Sequence, residues 1–189
     1  MNEYLIDLKN AFKAVSQTFY NTPAYNRRGG IILQEPEDNF CAEIIHRFNN
    51  IKESTERRNS YNGLRIDFNL MKNRFNIQPD IVLHSGGDNQ NRQEIYIEVK
   101  TYRYSDLEGD LNKLRIAIST DLNFNRAVML VINKELHSTI TDIEAFIQES
   151  HLREAELQKL FLYHGKCIAN NLIQYSFCSF NNLNNPINE

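Results

Sequence analysis

An α/β fold, with a mixed central β-sheet flanked by helices, is what the order of segments predicts. Three observations carry it. Stretches with apolar residues at helical spacing alternate with short runs of strand character. Residues 77–84 and 93–100 read as two strands joined by a Gly-rich turn. Ala127-Val128-Met129-Leu130-Val131-Ile132 is apolar at every position, as in a central strand covered on both faces. A hydrophobic fraction of 41% over 189 residues is enough for one compact domain. That domain is expected over residues 1–180, with 181–189 as a flexible C-terminal tail.

In chain order, Leu5, Leu8, Phe12, Val15 and Phe19 predict a first helix over 5–19. Pro23 and Gly29-Gly30 predict a loop over 21–30, in which Arg27-Arg28 is either a phosphate contact or a solvated turn. Asp38 or Asn39 caps a second helix over 39–49, with Phe40, Ile44 and Phe48 on its buried stripe and Glu43 beside it. Residues 49–63 are polar and look the least structured. Leu64 to Leu70 alternates strictly, as a half-buried strand does. Ser105-Asp106-Leu107-Glu108 is a capping box that opens a third helix, with Leu107, Leu111, Leu114 and Ile118 buried and Asp110 and Lys113 off the stripe. Helices over 139–149 and 151–163 and a last strand over 172–180 complete the prediction.

Composition excludes several classes. A net charge of −3 and a pI of about 6.0 are not those of a protein that coats nucleic acid, though a local basic face would still serve a nuclease. Cys41, Cys167 and Cys178 form no C-x-x-C, and His46, His137, His151 and His164 show no zinc-ligand spacing with them. There is no G-x-x-x-x-G-K-[ST] and no G-x-S-x-G. The N-terminus lacks a signal-peptide pattern and the longest apolar run is too short to span a bilayer, so a reduced, cytoplasmic protein without a membrane partner is expected.

The chemistry concentrates in Pro79-Asp80 and Glu98-Val99-Lys100. Side chains two apart in a strand share a face. Ile95, Ile97 and Val99 therefore face a core, while Tyr96, Glu98 and Lys100 face the other way together. A charged i, i+2 pair on a strand rich in β-formers makes sense where that side opens into a cleft. If 77–84 and 93–100 pair as a hairpin, Asp80 and Glu98 reach one metal ion. Mg²⁺ prefers carboxylate and carbonyl oxygens plus water, so the two acids and the Val99 carbonyl suit it, with Mn²⁺ also suitable. Lys100 adds a point charge beside the attacking water.

This arrangement resembles the PD-(D/E)xK nuclease superfamily, to which many restriction endonucleases belong. The likeness covers roughly residues 38 to 133, with the order helix, three strands, helix, strand. It implies a restriction-endonuclease-like core and a Mg²⁺-dependent nuclease that hydrolyses phosphodiesters by water attack, most naturally a DNA endonuclease. Glu43, on the first core helix, matches the glutamate that many members add to the metal site. Asp80, Glu98, Lys100 and Glu43 would be the catalytic set, with Asp80, Glu98, Val99 and Glu43 at the metal. Such enzymes commonly act as homodimers, because one site cuts one strand. Recognition would then come from residues 20–35 and 50–63, and Thr101, Tyr102 and Arg103 could touch the nucleic-acid backbone.

Plainer readings stand beside these. The fold could be kept as a non-cleaving module that binds nucleic acid or a partner, or the motif could be an accident of an unrelated α/β protein. Asp80 could be a turn residue after proline, and Glu98 with Lys100 an exposed ion pair. Glu43 could pair with Arg47 at i+4 on the helix surface. Asp110 and Lys113 either approach the site or, more simply, form a solvated face, and His84, on the Asp80 face by parity, reads equally as a cleft residue or a structural histidine.

Overall fold

The computed structural model describes residues 2–21, 23–25, 31–33, 37–70, 77–86, 92–101, 107–168 and 172–189. Arg27-Arg28, the turn residues 87–91, Ser105-Asp106, Tyr102 and Arg103 lie outside them.

The helices are α1 (Glu3–Lys13), α2 (Thr18–Asn21), α3 (Glu37–Lys52), α4 (Leu107–Ala117), α5 (Leu136–Ser150) and α6 (Glu154–Leu157). The strands are β1 (Pro23–Tyr25), β2 (Ile31–Leu33), β3 (Arg65–Phe68), β4 (Ile81–His84), β5 (Gln93–Thr101), β6 (Arg126–Ile132), β7 (Leu160–Cys167), β8 (Ile173–Ser179) and β9 (Ile187–Asn188). β1 and β2 form a small antiparallel ribbon, and β1 falls within the 21–30 stretch expected to be a loop. The other seven strands form one open mixed sheet in sequential order from β3 to β9. β3, β4 and β5 are antiparallel, β5, β6 and β7 parallel, and β7, β8 and β9 antiparallel. The chain is thus α/β with a mixed central sheet flanked by helices.

A parallel pair needs a crossover, and α4 supplies it between β5 and β6, as α5 does between β6 and β7. Both crossover helices cover one face. Leu107, Leu111 and Leu114 of α4 and Ile143 and Phe146 of α5 pack there with Val82, Tyr96, Ala127, Met129 and Val131. α1 and α3 cover the other face, where Leu5, Leu8, Phe12, Phe40, Ile44 and Phe48 meet Ile81, Ile95, Ile97, Val99, Val128 and Leu130. β6 therefore buries both its parities. On the α1/α3 face Phe12, Phe40, Tyr20, Tyr175 and Phe177 touch edge to face, the arrangement that aromatic quadrupoles favour. Gly165 of β7 sits under them: a Cβ there would lie 2.8 Å from Phe12 Cζ and 3.0 Å from the Tyr20 hydroxyl.

Other expectations change as well: the helix expected over 5–19 ends at Lys13, and α2 starts separately at Thr18. Residues 151–163 do not form one helix, because α6 is a single turn and Leu160 starts β7. Leu160 and Leu162 enter one core and Tyr163 the other, so burial on both faces overrides the helical spacing of the leucines. Residues 54–63 are not loose. Asp7 of α1 is buried, and it draws Arg57 Nε to 3.0 Å and the Tyr61 hydroxyl to 3.1 Å. The C-terminal residues form β9 at the sheet edge, and the Glu189 carboxylate pairs with Lys9 and, at 2.6 Å, with Lys13. Among the described residues, no helix is long and apolar enough to cross a membrane. The three cysteines are free, with Cys41 buried.

Candidate active site

Where β4 begins, the sheet brings together the groups that the motif singled out. Ile81 pairs with Ile97, so one further step of the antiparallel register sets Asp80 opposite Glu98. The Asp80 backbone carbonyl accepts from Asn69 N–H at 3.1 Å, so its backbone faces β3. Its side chain turns towards β5, where Oδ2 accepts from Val99 N–H at 2.7 Å.

The same register sets Pro79 opposite Val99. In an antiparallel pair, a residue whose N–H points at the partner strand points its carbonyl there too. Proline has no N–H to offer that carbonyl. The ladder therefore stops at this point, with one Val99 group taken by Asp80 and the other left without a donor from position 79. This is a physical reason for proline before the aspartate.

Glu98 is 1% exposed, on the same sheet face as Tyr96 and Lys100. Its Oε1 accepts from the Tyr96 hydroxyl at 2.7 Å and its Oε2 from Lys113 Nζ at 3.0 Å. Burial first, and then the Asp80 charge, push the Glu98 carboxyl up to about 8. Burial also raises Asp80, against the Val99 hydrogen bond and the lysines. Lys100 lies 2.8 Å from Asp110 Oδ2, and Lys113 lies 2.9 Å from Asp110 Oδ1. Burial is the largest single influence and disfavours charge on both lysines, but Asp110 together with the other acids, Glu98 for Lys113 and Glu37 and Asp80 for Lys100, holds them above the ordinary lysine value.

Asp110 and Lys113 thus belong to the cluster rather than to a solvated face. Both come from α4, whose register presents them at i and i+3 towards the end of β5. Nothing in the local pattern marks this, because the pairing depends on how α4 docks on the sheet.

Glu43 is not brought to the cluster. Its carboxylate is held by Arg47, 2.6 Å away at i+4, the plainer of its two sequence readings. Glu37 of the same helix is the residue that reaches the site. Its carboxyl is raised chiefly by burial, and it feels Lys100, Asp80 and Asp110 and a hydrogen bond from the Thr101 backbone. Six residues along an α-helix turn the side chain by about 240° and move it about 9 Å. Glu37 and Glu43 therefore cannot serve the same point. Cys41, one turn on from Glu37, also lies within the field of Asp80, Glu37 and Glu98.

Comparison with protein-family models, curated proteins and solved structures found no match to this chain. The chemistry is therefore argued from the cluster itself. Glu37, Asp80, Glu98 and Asp110 face Lys100 and Lys113, four acids against two bases. Fully ionised, the group lacks two positive charges, the amount that one divalent cation carries. Among the described residues no three acidic, His or Cys side chains already converge as a ready-made cage. The donors are nonetheless of the right kind: opposed carboxylates and a backbone carbonyl that receives no donor from position 79 are hard oxygen ligands.

His84 stands apart. It is 2% exposed on β4 and its Nε2 lies 2.6 Å from Asp67 Oδ2 on the neighbouring strand, which supports the structural reading.

Proposed function

We propose that this chain is a divalent-metal-dependent nuclease of the restriction-endonuclease-like type, acting on the phosphodiester bonds of DNA. The single observation that carries the reading is the facing of Asp80 and Glu98 across the β4/β5 register, with Lys100 two residues along the same face. A structural ion pair needs neither two opposed acids nor a buried one. Taking a carboxylate out of water costs several kcal/mol unless partners offset it, and a site that must hold a dication is a reason to keep that cost.

In this reading Asp80, Glu98 and the Val99 carbonyl would hold Mg²⁺, and Glu37 would take the part that the motif gave to Glu43. When bound, the ion lowers the pKa of its water and offsets charge on the phosphate. Lys100 keeps its proton and presents a fixed positive charge to the phosphate oxygens and the incoming water. Asp110 holds that ammonium in place. Tyr96 orients Glu98, since burial and the neighbouring acid keep its phenol protonated and donating. A homodimer would place two such sites on the two strands of a duplex.

A second reading has one observation in its favour. Both Glu98 oxygens already accept hydrogen bonds, so this carboxylate is satisfied within the fold. A non-cleaving binding module that keeps the fold fits that fact. Incubation of purified protein with duplex DNA, single-stranded DNA and RNA, with Mg²⁺ or Mn²⁺, separates the two. The nuclease reading expects metal-dependent cleavage that Asp80→Ala abolishes. Equal cleavage by both proteins ends the mechanism, and none with any substrate favours the module.

A further inference from the structure

We propose that Lys113 is an internal counter-cation for Glu98, holding its carboxylate in the metal-free protein and retreating onto Asp110 when a divalent cation takes its place. The inference rests on the metal-site reading above, and it concerns a residue that the motif does not include.

The geometry is that of a shared donor. Lys113 Nζ is 3.0 Å from Glu98 Oε2 and 2.9 Å from Asp110 Oδ1. The first contact crosses from α4 to β5, and the second stays within α4. A cation at Glu98 competes for the oxygen that Lys113 holds. When it wins, Lys113 keeps its helical partner and needs no new one. Its side chain is 34% exposed whereas that of Glu98 is 1% exposed, so the lysine has room to withdraw towards solvent while the carboxylate stays sealed. Asp110 is 5% exposed and ties Lys100 by its other oxygen, so the retreat leaves Lys100 tethered.

The device answers a real problem. Asp80 and Glu98 face each other in a site screened from water, and like charges so placed repel strongly. Where both are ionised and no metal is bound, a neighbouring positive charge offsets that repulsion. Lys113 does this at the expense of metal affinity, because every binding event must first displace it. Glu37, Cys41, Tyr96 and Lys100 also face the cluster, but of these only Lys100 is cationic, and its partner is Asp110 rather than Glu98.

Calorimetric titration with Ca²⁺, a hard oxygen-seeking probe, tests this at about pH 9, where carboxylates are ionised. Lys113→Met, which keeps bulk and removes charge, should bind Ca²⁺ at least about tenfold tighter than wild type. Its metal-free melting temperature should drop and be regained on Ca²⁺ addition. Lys113→Arg should bind like wild type. Asp110→Asn should shift affinity the opposite way, because the lysine then leans wholly on Glu98. Should Lys113→Met not fold, Lys113→Gln carries the same expectation.

Tighter binding by the neutral variants, with weaker binding by Asp110→Asn, sustains the proposal. If wild type binds Ca²⁺, Asp80→Ala does not, and the neutral variants bind no tighter than wild type, the role of Lys113 is overturned and the metal site stands. If neither wild type nor Lys113→Met binds Ca²⁺, the metal-site reading falls and this inference falls with it.

Discussion

The two faces of β5 are buried almost equally and built from opposite chemistry. Ile95, Ile97 and Val99 meet the α1/α3 core, each 1% exposed or less. On the other parity Tyr96 and Glu98 are just as sealed, yet they carry a phenol and a carboxylate into a cluster of charges. The first face lowers the free energy of the fold simply by leaving water. The second holds an acid whose charged form the protein opposes, as the upward displacement of Glu98 to about 8 records. One strand therefore differs by parity: odd positions are purely apolar, while even positions pack Tyr96 into the other core and carry Glu98 and Lys100 into the charge cluster.

The largest expected effect lies on the even side. Lys100→Ala should cut metal-dependent turnover by about 10²–10⁴-fold while Ca²⁺ affinity stays within a few-fold of wild type. Single-turnover cleavage with a parallel Ca²⁺ titration would measure both, and loss of metal binding would mean that the lysine acts on the ion rather than on the reaction.

The odd side should respond in stability. Ile97→Ala opens a cavity between β5 and the α1/α3 layer, and should cost about 2–5 kcal/mol in urea unfolding. Ca²⁺ affinity of the folded fraction should not change. A loss under about 1 kcal/mol would show a core that collapses around the gap, and would blur the contrast between the faces.

pH sharpens the comparison next. A carboxyl raised from its ordinary 4.5 to about 8 binds its proton more tightly in the folded chain than in the unfolded one. The stability this contributes is complete below about pH 4.5 and is lost as pH rises to about 8, at up to about 1.4 kcal/mol per pH unit. The urea midpoint of the metal-free protein should fall across that window. Glu98→Gln, which cannot ionise, should flatten the fall, and an equally steep profile in that variant would place the titrating group elsewhere.

The smallest effect separates two glutamates on one helix. Glu43→Ala loses a half-buried i, i+4 pair on the helix surface, so it should change stability by less than about 1 kcal/mol and leave Ca²⁺ affinity alone. Glu37→Gln should weaken Ca²⁺ binding severalfold. The reverse pattern would return Glu43 to the site.

Much of this contrast was legible in the residues. Alternation in 93–100 assigned Ile95, Ile97 and Val99 to one side and Tyr96, Glu98 and Lys100 to the other, and the structure keeps both assignments. The hairpin placed Asp80 beside Glu98, as the register does. Glu37 was missed because the second helix was started one or two residues late, which put this glutamate in the preceding loop. Acids in a first turn suit the helix dipole, so Glu37-Asp38 was the available signal. Asp110 and Lys113 could not be assigned, because their partners Glu98 and Lys100 lie across a helix–strand contact with no local pattern. β7 escaped for a related reason: a strand apolar on both faces loses the alternation that betrays β3.

Pro79 carries one further consequence. A hydrogen-bonded sheet tends to zip onwards for as long as each residue can supply a donor. By refusing one, a single imino acid ends the β4/β5 ladder beside Val99, whose backbone oxygen receives no donor from position 79. In the proposed metal site that oxygen would be a ligand, so one imino acid would set both where the ladder ends and where a cation is held.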